Sequence, residues 1–423
     1  MTQTEELFLQ ALRAFFRQEK VAWDAFSGSE ADDSGSVPSS ETVVNVFRLA
    51  EEQHVFPMVF EASYAAPAVS SSPAFPALRR RAIVSAAAEA EKTSFFLSLY
   101  RKLREKGLSP LAVKGILCRS VFPSGHLRVS ADEDLLIRED EYDAAISVLT
   151  ESGMTPAGPD GADGVDSSWV SGRCHIELHR ALFPSGNAAI ENLNGVFGDP
   201  FSDAAAYSVD GGSANGDVKI LSLSPEKHLL YLILHAFKHF IHSGFGIRQV
   251  CDAGLWADHY AADIDWHSLY LACEQTNTLL FAKSVFLIAA DVTGKNIPLS
   301  EEWVSVSADP APMLADLLSG GVFGTNDLSR LHSAGITLNA AGDSASADKK
   351  HSSGIFSSLF PSKSKLESQY PELKQKPILL PVVWCKRIVR YIKETRAGDS
   401  DTAKTLSIAK ERVALLRYYG IIK

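Results

Sequence analysis

At 423 residues the chain can bury a large apolar core and form two or three folded regions. Its 46% hydrophobic and 22% charged residues are those of an ordinary globular protein, which excludes a fibrous or wholly disordered chain. A net charge of −10 argues against nonspecific nucleic-acid binding, which needs clustered Lys and Arg.

The first residues, Met1-Thr-Gln-Thr-Glu-Glu, lack a basic stretch followed by an apolar run, so no secretory leader is expected there. Residues 5–19 carry Leu7, Leu9, Leu12, Phe15 and Phe16 at roughly helical spacing. A Ser/Gly/Asp-rich loop follows over 27–40. Residues 42–51 and 76–106 read as helices, the second stopped by Gly107.

The stretch from residue 108 to 222 reads as α/β and carries the chemistry. Leu111-Ala-Val-Lys114-Gly115 is an apolar strand ending in a turn. A second apolar strand opens with Asp132-Glu133-Asp134. Residues i and i+2 of a strand share a face, so Asp132 and Asp134 project together and Glu133 projects the other way. Paired carboxylates repel unless a cation lies between them, and carboxylate oxygens suit a hard ion such as Mg²⁺. The strand Cys174-His-Ile-Glu177-Leu-His179 offers a third carboxylate if it lies alongside. The bland alternative is an acidic strand edge that keeps a sheet soluble. A helix over 140–152, stopped by Gly153, separates the two strands.

Ser224-Pro225-Glu226 is a strong helix start, with a Ser cap, Pro in the first turn and an acid at the positive helix end. The apolar helix it opens runs to about His242 and carries His235, His239 and His242 on one face. Zinc chelation is one reading of that face, and packed, hydrogen-bonded histidines are the commoner one. The apolar stretch from Leu279 to Val292, broken by Lys283 and Asp291, is too short to span a bilayer and reads as a buried helix. The cysteines Cys118, Cys174, Cys251, Cys273 and Cys385 are scattered without a Cys-x-x-Cys, so buried free thiols in a reducing cytoplasm are expected.

Several segments together resemble a known family. Val113-Lys114-Gly115, Phe122-Pro123, Arg128, Asp132-Glu133-Asp134-Leu-Leu-Ile137 and Glu177-Leu-His179 resemble, in order and spacing, the uncharacterised nucleotidyltransferase-like proteins of bacteria. These are a branch of the DNA-polymerase-β-type nucleotidyltransferase superfamily. His235 and His239, Asp252, Ile264-Asp265-Trp266 and the segment Tyr370-Pro371 to Arg387 continue the likeness. Glu133 stands where the family has an apolar residue, and Lys-Gly where most of the superfamily has Gly-Ser or Gly-Gly.

The resemblance implies an α+β fold: a small mixed sheet embedded in a mostly helical protein. It implies transfer of a nucleoside monophosphate from a nucleoside triphosphate to an acceptor hydroxyl, by a two-metal mechanism using two Mg²⁺ ions, or Mn²⁺. Asp132, Asp134 and Glu177 would be the metal and catalytic residues, with Lys114, Gly115 and Arg128 binding substrate. Lys114, Arg119, Arg128, Arg173 and Arg180 lie near the acidic strands in sequence. One or two of them could neutralise phosphate, and surface solubilisation is the alternative for each. Gly115 fits either a tight turn or a close phosphate approach. A noncatalytic nucleotide- or protein-binding module on the same fold is the other reading, and the acceptor is not legible. No membrane span and no strong nucleic-acid signal are present.

The expected organisation is a helical region over 1–106, the α/β core over 107–222 and a helical domain over 223–339. A flexible linker over 340–366 and C-terminal helices over 367–423 follow. Those helices are expected to dock on the preceding helical domain.

Overall fold

The computed structural model describes residues 1–23, 37–158, 166–184, 193–212, 216–242, 244–320 and 402–421. The expected linker and the segment around Tyr370 to Arg387 lie outside them.

Helix α1 (Gln3–Arg17) opens on a reciprocal cap: Thr2 Oγ1 accepts from the Glu5 amide at 3.3 Å, and the Thr2 amide donates to Glu5 Oε2 at 2.7 Å. Its apolar face buries Leu7, Phe8, Leu12 and Phe15 against α2 (Ser40–Glu52) and α3 (Phe56–Ser63). A short turn of helix, α4 (Pro67–Ser70), leads into α5 (Phe75–Glu105). Pro76 fills the first turn of α5, where its missing N–H costs nothing, and Gly107 at φ +82° ends it. The Tyr100 hydroxyl near its end donates to Pro110 O at 2.9 Å and accepts from the Leu221 amide at 2.8 Å. One side chain thereby ties α5 to the sheet region.

The sheet comprises β1 (Leu111–Val113), β2 (Glu133–Leu136), β3 (Thr155–Pro156), β4 (Asp166–Ser171) and β5 (Cys174–His179). Its order is β1-β2-β5-β4-β3. β2 and β5 run parallel, with Asp134 opposite Glu177, and the other pairings are antiparallel. Helix α6 (Gly115–Ser120) follows β1, and α7 (Tyr142–Glu151) follows β2. In β5 the apolar Cys174, Ile176 and Leu178 are buried, and His175, Glu177 and His179 share the opposite, partly open face. A hairpin of β6 (Ala205–Asp210) and β7 (Asp217–Ser222) lies beside β1, where Ser222 Oγ donates to Ala112 O at 2.5 Å.

Next come α8 (Pro225–His242), α9 (Ile247–His259), α10 (Trp266–Gln275), α11 (Leu279–Thr293), α12 (Glu301–Ser305) and α13 (Ala311–Gly320). Helix α1 packs on α11, and Arg13 pairs with Asp291 at 2.6 Å, so the first helix and this region share one apolar core. The C-terminal α14 (Thr402–Tyr418) meets it as well: Arg412 pairs with Asp316 at 2.9 Å and donates to the Phe240 carbonyl, and Tyr419 meets the Phe240 ring edge-on.

The fold is α+β, a small mixed sheet of five strands in a mostly helical protein. No helix among the described residues is long and apolar enough to cross a membrane. Helices α3, α4 and α6 go beyond the sequence reading. All are short, and α6 starts from a turn whose backbone no side-chain pattern announces.

Candidate functional site

The turn after β1 is built against the residue between the two aspartates. Glu133 is buried on the face opposite Asp134. Its Oε2 accepts from the Ile116 amide at 2.7 Å, at the start of α6, and its other oxygen pairs with Arg119. Arg119 donates to Ser130 Oγ at 2.8 Å, and Glu89 of α5 accepts from the Ser130 amide at 3.2 Å. Glu133, read from sequence only as a departure from the family pattern, is thus an internal anchor. Gly115 owes its identity to this anchor: a Cβ there would lie 2.0 Å from Glu133 Oε2, and its φ is +30°.

Lys114 adopts φ +60° and ψ −132°, a conformation that glycine takes readily and a long side chain takes only under strain. Three contacts hold it. Its amide donates to His228 Nε2 at 3.1 Å, and its ammonium lies 2.9 Å from Asp134 Oδ2 and 3.1 Å from His235 Nε2. The backbone strain is tolerated where the ammonium is positioned.

The parallel pairing of β2 and β5 brings the carboxylates together. Ligand atoms of Asp132, His175 and Glu177 lie within 4.8 Å of one another, as do those of Asp134, Glu177 and His179. His179 Nε2 is 3.0 Å from Asp134 Oδ1 and 3.5 Å from Glu177 Oε2. Burial alone would lower the His179 pKa, but its hydrogen bonds to Asp134 and Glu177 raise it to about 9, so the ring is cationic at neutral pH. Burial likewise opposes ionisation of Asp134, and Lys114 and His179 outweigh it, holding that carboxyl well below its usual range. The His179 hydrogen bond also lowers Glu177. Asp132 differs: burial and the neighbouring Asp134 charge push its pKa up. Asp134 is thus compensated by Lys114 and His179, whereas the charged form of Asp132 is disfavoured.

These groups line a cleft of about 500 Å³ between the sheet and helices α8 and α9. Lys114, Gly115, Arg128, Asp132, Asp134 and Glu177 all border it. Arg128 is fully buried and commits Nε and Nη2 to Asp252 at 2.7 Å each and Nη1 to Ser130 Oγ at 3.2 Å. Of the other cations considered from sequence, Arg119 serves Glu133 and Arg180 pairs with Glu139. Arg173 is exposed at the turn between β4 and β5.

His235 and His239 of α8 border the cleft, their Nε2 atoms 3.3 Å apart. They belong to neither three-residue metal cluster found among the described residues, and the side chain of His242 is not among those described. Burial, then the Lys114 charge, holds His235 well below its usual pKa, as befits an acceptor for that ammonium. Sequence reasoning missed the ion pairs of His179 with Asp134 and Glu177 and the placement of Lys238 and Arg248 at the cleft. Of these, His179 carried a signal, its i+2 spacing from Glu177.

His228 gives a pH prediction. It is fully buried against the Trp256 ring, with centroids 4.0 Å apart, and burial lowers its pKa to about 3. Between the ordinary value near 6.5 and that value, the unfolded chain binds a proton that the folded chain does not. Its contribution is complete above pH 6.5 and declines as pH falls, by about 1.4 kcal/mol per pH unit. Urea unfolding at pH 7, 5.5 and 4.5 should show His228→Gln losing stability more gently than wild type. Parallel losses would refute the assignment.

A small mixed sheet with acidic groups clustered on parallel neighbours and a helical wall across the cleft is consistent with a nucleotidyltransferase domain. A family model described as an uncharacterised nucleotidyltransferase matches residues 39–294, and the chain belongs to that family. The match spans α2 to α11 and so includes both walls of the cleft. No curated protein and no solved structure matches the chain.

Proposed function

We propose that this protein transfers a nucleoside monophosphate from a nucleoside triphosphate to an acceptor hydroxyl, at the cleft between the sheet and α8 and α9. One observation supports this above the rest: in a nucleotidyltransferase-family chain, the β2–β5 register sets Asp134 beside Glu177, with Asp132 in reach of the same cluster.

The donor set fits hard divalent cations. Its atoms fall in two groups that share Glu177, Asp132 with His175 and Asp134 with His179, each within 4.8 Å, and a cation beside Asp132 would offset the burial and repulsion that disfavour its charged form. Asp132, Asp134 and Glu177 would hold two Mg²⁺ ions. Both oxygens of Asp134 already face cations of the chain, so Asp132 and Glu177 are the primary ligands. His175 at the cluster's edge makes Mn²⁺ a second candidate. When bound, the metal neutralises triphosphate charge and lowers the pKa of the acceptor hydroxyl.

The acceptor oxygen forms a bond to the α-phosphorus, the bond to the pyrophosphate oxygen breaks, and the acceptor proton passes to solvent. The chain's work is positioning and charge compensation. Lys114, Gly115 and Arg128 border the substrate space, and the Lys114 ammonium is fixed beside Asp134.

A second reading, a noncatalytic nucleotide-binding module, draws on the same Asp134 contacts, because Lys114 and His179 already satisfy that carboxylate. One experiment separates the two. The full chain is titrated calorimetrically with each of the four NTPs plus Mg²⁺ or Mn²⁺, then incubated with α-labelled NTPs and metabolite or protein fractions. Label transfer with pyrophosphate release supports the enzyme, binding without transfer supports the module, and no binding of any NTP sinks both.

A further inference from the structure

The helical wall of the cleft carries cationic donors that its own partners leave unfilled. Arg248 of α9 borders the cleft, is only 9% exposed, and its Nε has no hydrogen-bond partner. Its Nη1 lies 3.6 Å from Asp252 Oδ2, but both Asp252 oxygens already accept from Arg128 at 2.7 Å. One carboxylate thus serves two guanidinium groups. Lys238 of α8 is half-buried, borders the same cleft and makes no ion pair among the described residues. A buried guanidinium nitrogen without an acceptor is costly unless a ligand supplies one.

The opposite side of the cleft sharpens the point. A phosphate cradle at a glycine turn uses the backbone amides that open the following helix. Here the Ile116 amide is taken by Glu133. Phosphate recognition then falls to side chains across the cleft.

We propose that Arg248 and Lys238 form the phosphate-binding wall and take the pyrophosphate half of the nucleoside triphosphate. The α-phosphorus is then directed toward Asp132 and Glu177. A guanidinium with its fork unsatisfied suits this role, since it can grip phosphate oxygens through two N–H groups, with Lys238 adding a point charge. The proposal rests on the nucleotidyl-transfer reading of the site, and it can fail separately from it.

The test uses inorganic tripolyphosphate without divalent metal, titrated calorimetrically into the full-length protein. Wild type should bind it, and Arg248→Met and Lys238→Met should each weaken binding roughly tenfold or more. The melting temperature of ligand-free Arg248→Met should hold or rise, because a buried guanidinium with an unfilled donor has been removed. A merely structural arginine would make it fall. Arg248→Lys should restore part of the affinity. Tripolyphosphate binding as tight as wild type in Arg248→Met and Lys238→Met would overturn the proposal, as would wild type that binds no tripolyphosphate. If that happens while wild type still transfers nucleotide, only the wall is wrong. If tripolyphosphate binding behaves as expected but no NTP is transferred, the wall stands and the transfer reading falls.

Discussion

Asp132→Asn and Asp134→Asn should each cut metal-dependent nucleotidyl transfer by about 10²- to 10³-fold or more, yet move stability in opposite directions. The activity loss follows from removing a ligand charge that stabilises the transferring phosphoryl group, worth several kcal/mol. The stability effects follow from the metal-independent geometry. Asp132 is half-buried and repelled by Asp134, so an uncharged amide relieves the folded state. Asp134 is the partner of a Lys114 ammonium at 2.9 Å and a cationic His179 at 3.0 Å. Losing it leaves buried positive charge unpaired, at about 3–5 kcal/mol. Urea unfolding of the two variants in EDTA, beside label-transfer assays in Mg²⁺, checks both halves. Equal destabilisation by the two substitutions would refute the charge assignment, and undiminished transfer in either would refute the metal site.

Asp252→Asn should cost about 3–5 kcal/mol, because it leaves the buried Arg128 and Arg248 guanidiniums facing each other without a carboxylate. The Arg128–Asp252 pair joins the segment before β2 to α9, and so holds the two walls of the cleft together. Arg128→Met should cost less, since Arg248 still lies 3.6 Å from Asp252 Oδ2. The triple variant Arg128→Met/Arg248→Met/Asp252→Leu, which replaces the carboxylate and both guanidiniums, should recover a large part of the Asp252→Asn loss, as apolar replacements of buried ion groups commonly do. Two single variants that melt like wild type would show that the pair contributes nothing to the walls.

The acidic cluster was legible in the sequence because strand periodicity is local. Asp132 and Asp134 share a face by the rule of two, and Glu177 needed only an adjacent strand. The long helices and their caps at Ser224 and Gly107 were legible for the same reason. What escaped is non-local. Arg128 finds Asp252 124 residues away, and Lys114 finds His235 121 residues away. No periodicity encodes such pairings. Arg128 matched a family position, but its sequence neighbours could not show that its donors are taken. Arg248 drew no notice, because its significance lies in a partner that another arginine already occupies.

The unusual backbone at Lys114 sets two opposed demands on one residue. A lysine held at φ +60° and ψ −132° is a standing disadvantage unless its ammonium is put to use. Glycine would relax the turn and forfeit the charge beside Asp134. Backbone ease and charge placement therefore pull residue 114 in opposite directions, and the chain keeps the charge at the expense of the turn.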